Sequence, residues 1–173
     1  MVRNGISEKI GGITVAGSGN WWIAHDRIGP LVLERLEAMD FGKGLELCHL
    51  GTTGLDIIDC LRGQKHFILV DAACGRDPPG TIQLVPMASV CPVSRGVSLH
   101  QIGPLEGFAL AAQLFPESLP KRASLITVET LGLQENCFGS VTDQVVNMIL
   151  KETGLQAPDF SDSGSENLFS GRG

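Results

Sequence analysis

Apolar residues along the chain fall into short continuous runs separated by stretches of helical period. The run Gly12-Ile13-Thr14-Val15-Ala16-Gly17 is β-branched and bounded by glycines, which predicts a buried strand ending in a glycine turn. Ile28, Leu31, Val32, Leu36 and Met39 follow at helical spacing, with Pro30 near the start, where a missing N–H does no harm. Leu45 to His49 reads as a second short strand. Gly54 to Arg62 has helical character, with Leu55, Ile58 and Leu61 on one side. The strongest strand is His66-Phe67-Ile68-Leu69-Val70-Asp71, apolar until it closes on a carboxylate, as a central parallel strand covered on both faces would be.

Beyond Asp71, the turn signal Asp77-Pro78-Pro79-Gly80 leads into a strand over Thr81 to Val85. This connection is too short for a crossover helix, so the strand it feeds is expected to run antiparallel at the edge of an otherwise parallel sheet. Pro104 to Phe115 predicts a helix, Ser124 to Glu129 a strand, and Thr142 to Lys151 a final helix, with Ser140 and Asp143 in capping-box spacing at its start. Such alternation gives an α/β fold: a three-layer α/β/α sandwich on a twisted, mostly parallel five-stranded sheet. The expected organisation is one domain over residues 1–153. A polar, Ser-, Gly- and Asp-rich tail over 154–173 is expected to be mobile.

Composition narrows the class. A chain of 173 residues, 43% hydrophobic, holds one core and not two. The net charge of -6, without a basic cluster, argues against nucleic acid or an anionic membrane as partner. No signal-peptide pattern and no run long enough to span a bilayer occurs, so a cytoplasmic protein is expected. Cys48, Cys60, Cys74, Cys91 and Cys137 are odd in number and never form CxxC. They read as small core residues and not as a zinc knuckle.

Ligands of open α/β sheets bind outside the carboxyl ends of the strands. Three polar residues fall there: Asp26 in the loop after the first strand, Asp71 ending the central one, and His100 ahead of the third helix. Two carboxylates and an imidazole suit a divalent transition metal and leave coordination positions open. Spacing alone leaves plainer readings ahead for two of them, Asp26 as a solvated loop acid and His100 as a surface histidine. Asp71 resists that reading, because a carboxylate at the end of five apolar residues is costly unless paired or metal-bound. Gly17-Ser18-Gly19-Asn20 also suggests a dinucleotide-binding turn, but the third glycine of that fingerprint is Trp22 and no Walker lysine follows.

The ordered pieces Val15-Ala16-Gly17-Ser18-Gly19-Asn20, Asp26-Arg27-Ile28-Gly29, Gly51-Thr52-Thr53-Gly54, Leu69-Val70-Asp71-Ala72, Pro79-Gly80-Thr81 and Ser98-Leu99-His100-Gln101-Ile102-Gly103 resemble the hydrogenase maturation peptidase family over about residues 12–151. The resemblance implies an endopeptidase that removes the C-terminal extension of a nickel-iron hydrogenase large-subunit precursor after nickel insertion. It also implies Asp26, Asp71 and His100 as the metal-binding and catalytic residues, with nickel carried by the substrate, a resting enzyme free of metal, and a monomer. A non-catalytic nickel-reading chaperone of the large subunit is the alternative. Two departures stand out. His25 replaces the first of a pair of acids, and His49-Leu50-Gly51 stands where many relatives have an aspartate and two glycines. His49 is readable as a group that approaches the metal or the scissile peptide, or, the expected role, as a hydrogen-bonded strand-end residue, and His66 is expected to be structural at the opposite end of the sheet. Trp21 and Trp22 are readable either as core or as an apolar wall for the substrate's tail.

Overall fold

The computed structural model describes residues 12–51, 53–75, 77–90 and 102–157. Five strands, β1 (Ile13–Gly17), β2 (Leu45–His49), β3 (His66–Ala73), β4 (Ile82–Pro86) and β5 (Arg122–Glu129), form one sheet in the order β2-β1-β3-β5-β4. The first four of that order are parallel, and β4 pairs antiparallel with β5 at the edge, as its short connection to β3 requires. Helices α1 (Ile28–Glu37), α2 (Pro104–Leu114) and α3 (Phe138–Thr153) cover the faces.

Alternation along β3 divides the core in two. Ile68 and Val70 join Val15, Ile126 and Val128 under α1 and α3. Phe67 and Leu69 join Ala16 and Leu125 under α2 and the Gly54–Cys60 segment. Continuous apolar strands are what a sheet packed on both faces needs, and the result is the expected α/β/α sandwich. Because β1 leads outward to β2 while β3 lies on its other side, chain direction reverses between β1 and β3. This is the switch point at which open sheets form a crevice.

Three details differ from expectation. Gly54–Cys60 is a 3-10 helix and not an α-helix. Its Gly54 lies against α2 so closely that a Cβ on Gly107 would fall 2.1 Å from the Gly54 carbonyl oxygen, so this backbone follows the contact with α2. Helix α3 begins at Phe138, four residues ahead of the expected Thr142, and no side chain caps it. Asp143 instead pairs with Arg35 of α1 at 2.9 Å, and a 3-10 turn over Glu135–Cys137 runs straight into the helix. Finally, not every cysteine is core. Cys60 is buried, Cys48 and Cys137 are half-buried, and Cys74 is exposed, while Cys91 lies outside the described residues. The Cys48 and Cys60 thiols are hydrogen-bonded, which lowers the Cys48 pKa and, together with burial, raises that of Cys60.

His66 is structural, as expected. It is buried at the amino end of β3 with Nε2 3.0 Å from Ser124 Oγ, and burial depresses its basicity. Gly154 closes α3 in the left-handed region (φ 71°), and the expected tail from 158 onward lies outside the described residues. Among the described residues, no helix is long and apolar enough to cross a membrane.

Candidate active site

Register aligns the carboxyl ends of the three strands that flank the crevice. Gly17 is level with His49 on one side and with Val70 on the other. The Ser18 N–H donates to the Val70 carbonyl at 2.9 Å, and the Leu50 N–H donates to that of Gly17 at 2.9 Å, so the sheet's pairing carries on one step into the loops.

The loop after β1 is closed by Asn20. Its N–H is shared between the Asp26 carbonyl (3.0 Å) and Asp26 Oδ2 (2.9 Å). Its own carbonyl accepts from the Ile23 N–H (3.1 Å), and its side-chain Oδ1 accepts from the Trp22 N–H (2.9 Å). Gly19 makes this closure possible. Its φ is +127°, and a Cβ there would lie 1.9 Å from the Asp26 carbonyl oxygen, so glycine meets both the dihedral and the space requirement. From the other side, the Thr130 hydroxyl donates to the His25 carbonyl at 2.5 Å. The Arg27 guanidinium lies 4.7 Å above the Phe138 ring and pairs with Glu135. Asp26 is therefore held between the end of β5 and the start of α3.

Asp71 occupies the adjoining strand end. Burial raises its pKa to about 6 from 3.8, helped by the negative charges of Asp26 and Glu106 and opposed by hydrogen bonds from the Ala72 N–H and the Ser18 side chain. The Ala72 N–H reaches Asp71 Oδ1 at 3.0 Å. The turn that follows is pinned from β5, where the Gly75 N–H donates to Glu129 Oε2 at 2.6 Å.

Two of the three expected site residues, Asp26 and Asp71, are thus brought within electrostatic reach of each other. His100 lies outside the described residues. Its chain neighbours resume at Ile102, whose carbonyl accepts the Gly54 N–H at 2.9 Å, and at Gly103, the N-cap of α2. Among the described residues, no three His, Cys, Asp or Glu side chains form a group able to hold a metal. The donors in place are two hard carboxylates whose like charges make a proton or a cation welcome. Sequence reasoning did not single out Glu106, Ser18 or Asn20 as individual site residues. Glu106 carried a signal, an acid in the first turn of the helix entered from His100. Ser18 and Asn20 were visible only as parts of a glycine turn. His49 pairs with Glu37 of α1, its Nε2 2.7 Å from Glu37 Oε1.

The family model of hydrogenase maturation proteases matches residues 30–153. The chain belongs to the hydrogenase maturation protease family. That match contains Asp71 and His100 and begins four residues after Asp26. The Hydrogenase 2 maturation protease of Escherichia coli is 27% identical over 161 residues, covering 84% of this chain and 94% of that one. The hydrogenase expression/formation protein HupD of Thiocapsa roseopersicina is 31% identical over 140 residues, covering 79% of this chain and 62% of that one. The fold is that of the Escherichia coli hydrogenase maturating endopeptidase HybD, with a TM-score of 0.62 at 24% identity over 83% of this chain and 94% of that one. The [NiFe] hydrogenase maturation protease HycI of Thermococcus kodakarensis is likewise similar, with a TM-score of 0.63 at 18% identity over 86% and 95% of the two chains. This member of the family is a hydrolase, an endopeptidase of hydrogenase maturation.

Proposed function

We propose that the chain cuts the C-terminal extension from the large-subunit precursor of a nickel-iron hydrogenase, in the cytoplasm, as a monomer and after nickel has been inserted. Asp26, Asp71 and His100 are the groups that meet the substrate's nickel. The observation that carries this reading is the Asp26 and Asp71 pair at the switch point. Asp71 is held at a raised pKa chiefly by burial, to which the nearby charge of Asp26 adds. A cation delivered by the substrate relieves that repulsion, and contact with it fixes the adjoining peptide over the carboxylates. Positioning of this kind turns an encounter into a near-unimolecular step. Asp71 also has a pKa suited to taking a proton from water near neutrality.

Nickel here is part of the substrate, so loaded precursor should be cut and nickel-free precursor spared. Mass spectrometry of both forms after incubation with the protein tests this. Loss of a C-terminal peptide from the loaded form alone is the expected result. Equal cutting of both forms would remove nickel recognition from the account. Binding of the loaded form without any cut would make this chain the non-catalytic nickel reader.

A further inference from the structure

The loop that carries Asp26 also presents three exposed apolar residues in a row. Trp22 is 90% solvent-exposed, Trp21 43% and Ile23 40%. A core role for Trp22 is thereby set aside. Exposure here does not come from a loose segment. The Trp22 N–H is tied to Asn20 Oδ1 at 2.9 Å and the Ile23 N–H to the Asn20 carbonyl at 3.1 Å, while the Asn20 N–H is the donor to Asp26 Oδ2. One residue thus fixes both the Asp26 carboxylate and the Trp22 backbone. On the far side, the Thr130 hydroxyl bond to His25 brings Leu131, 56% exposed, to the same mouth of the sheet. Three consecutive exposed apolar residues on a loop that ends at a carboxylate pair are unusual unless something covers them.

We propose that Trp22, backed by Trp21 and Ile23, is a specificity-determining residue that receives an apolar side chain of the substrate polypeptide next to the bond to be cut. The inference rests on the reading of Asp26 and Asp71 as the cutting site. The loop between Asn20 and Asp26 ends on that pair and so borders a peptide laid across it. The occupant is a protein segment and not an anionic membrane, since a chain with net charge -6 repels one. A second copy of this chain docked on the loop would close the crevice to substrate. Tryptophan supplies a large apolar face at small entropic cost, as it does in other recognition surfaces.

Trp22→Ala should raise KM for the nickel-loaded precursor about 10- to 30-fold with kcat within about two-fold, the pattern of lost binding energy shared by ground and transition states. Trp22→Phe should recover most of that loss and Trp22→Gln little of it. An unchanged KM in Trp22→Ala, or Gln recovering as well as Phe, would overturn the proposal. A second readout needs no cleavage. The chain has two tryptophans, so Trp21→Phe protein labelled with 5-fluorotryptophan reports on Trp22 alone by fluorine NMR. Its resonance should move on addition of unlabelled loaded precursor. No movement in a mixture shown by sedimentation to be bound overturns the docking role, as does movement with protein concentration alone, the sign of a second copy. If wild-type protein binds but does not cut, the proposed function fails while the fluorine shift still decides the role of Trp22.

Discussion

Replacing Asp71 by asparagine should stabilise the free protein while destroying its activity. Asp71 has a pKa of about 6 in the fold against an ordinary value of 3.8. The folded state therefore binds the extra proton between those values, and stability is lost as pH rises from about 4 to about 6, remaining lower above that window. At about 1.36 kcal/mol per pH unit, the difference amounts to roughly 3 kcal/mol at pH 7.5. Asparagine does not ionise, and its amide oxygen still accepts from the Ala72 N–H, so Asp71→Asn should recover roughly 1 to 3 kcal/mol at pH 7.5. In a chain of this size that is a rise in Tm of about 3 to 10 °C. Near pH 4 the gap should shrink to roughly half a kcal/mol. Circular dichroism melts of both proteins at several pH values between 4 and 8 measure it directly. A variant less stable than wild type at pH 7.5, or a gap that does not change with pH, would refute the burial of an ionisable Asp71 beside Asp26.

Two further changes probe the loop that holds Asp26. Gly19→Ala forces a Cβ to within 1.9 Å of the Asp26 carbonyl oxygen at a φ of +127°, and should cost about 2 to 4 kcal/mol of stability together with cleavage. Chemical denaturation and the precursor assay check both effects, and a neutral result would mean that the Asn20 closure is not as described. Arg27→Ala removes the cation over Phe138 and its pairing with Glu135. It should lower stability by about 1 to 2 kcal/mol, most of it from the ring contact, since the ion pair is exposed on the Glu135 side. Arg27→Lys should restore only part in the same melts, because an ammonium does not stack as a guanidinium does.

Where the sequence was readable, the cause was burial on two faces. Phe67 to Val70 and Val15 to Ala16 left no doubt about the central strands, because a strand packed on both sides has no polar alternation to confuse. The antiparallel β4 followed from a connection too short to cross over. Features set by one particular contact were less legible. The 3-10 form of Gly54–Cys60 reflects how closely Gly54 approaches Gly107, and Asp143 pairs with Arg35 instead of serving as part of a cap. Within the site, Asp71 was legible because a carboxylate ending an apolar strand has few inexpensive homes. Asp26 was not, on spacing alone, since its position depends on the backbone closure at Gly19 and Asn20 and on Thr130, far away in sequence. The exposure of Trp22 had no sequence signal, because an indole looks the same in a core and in a mouth. His49 stood beside the expected site in sequence, yet its ring is held by Glu37.

The central claim is that Asp26, Asp71 and His100 together meet the nickel-bearing substrate. Its most direct test is the C-terminal mass of nickel-loaded precursor after incubation with Asp26→Asn, Asp71→Asn and His100→Ala proteins, each first shown to melt cooperatively. The account predicts an uncut precursor with all three and a shortened one with wild type. Wild-type cutting by any one folded variant would remove that residue from the site, and cutting by all three would contradict the account.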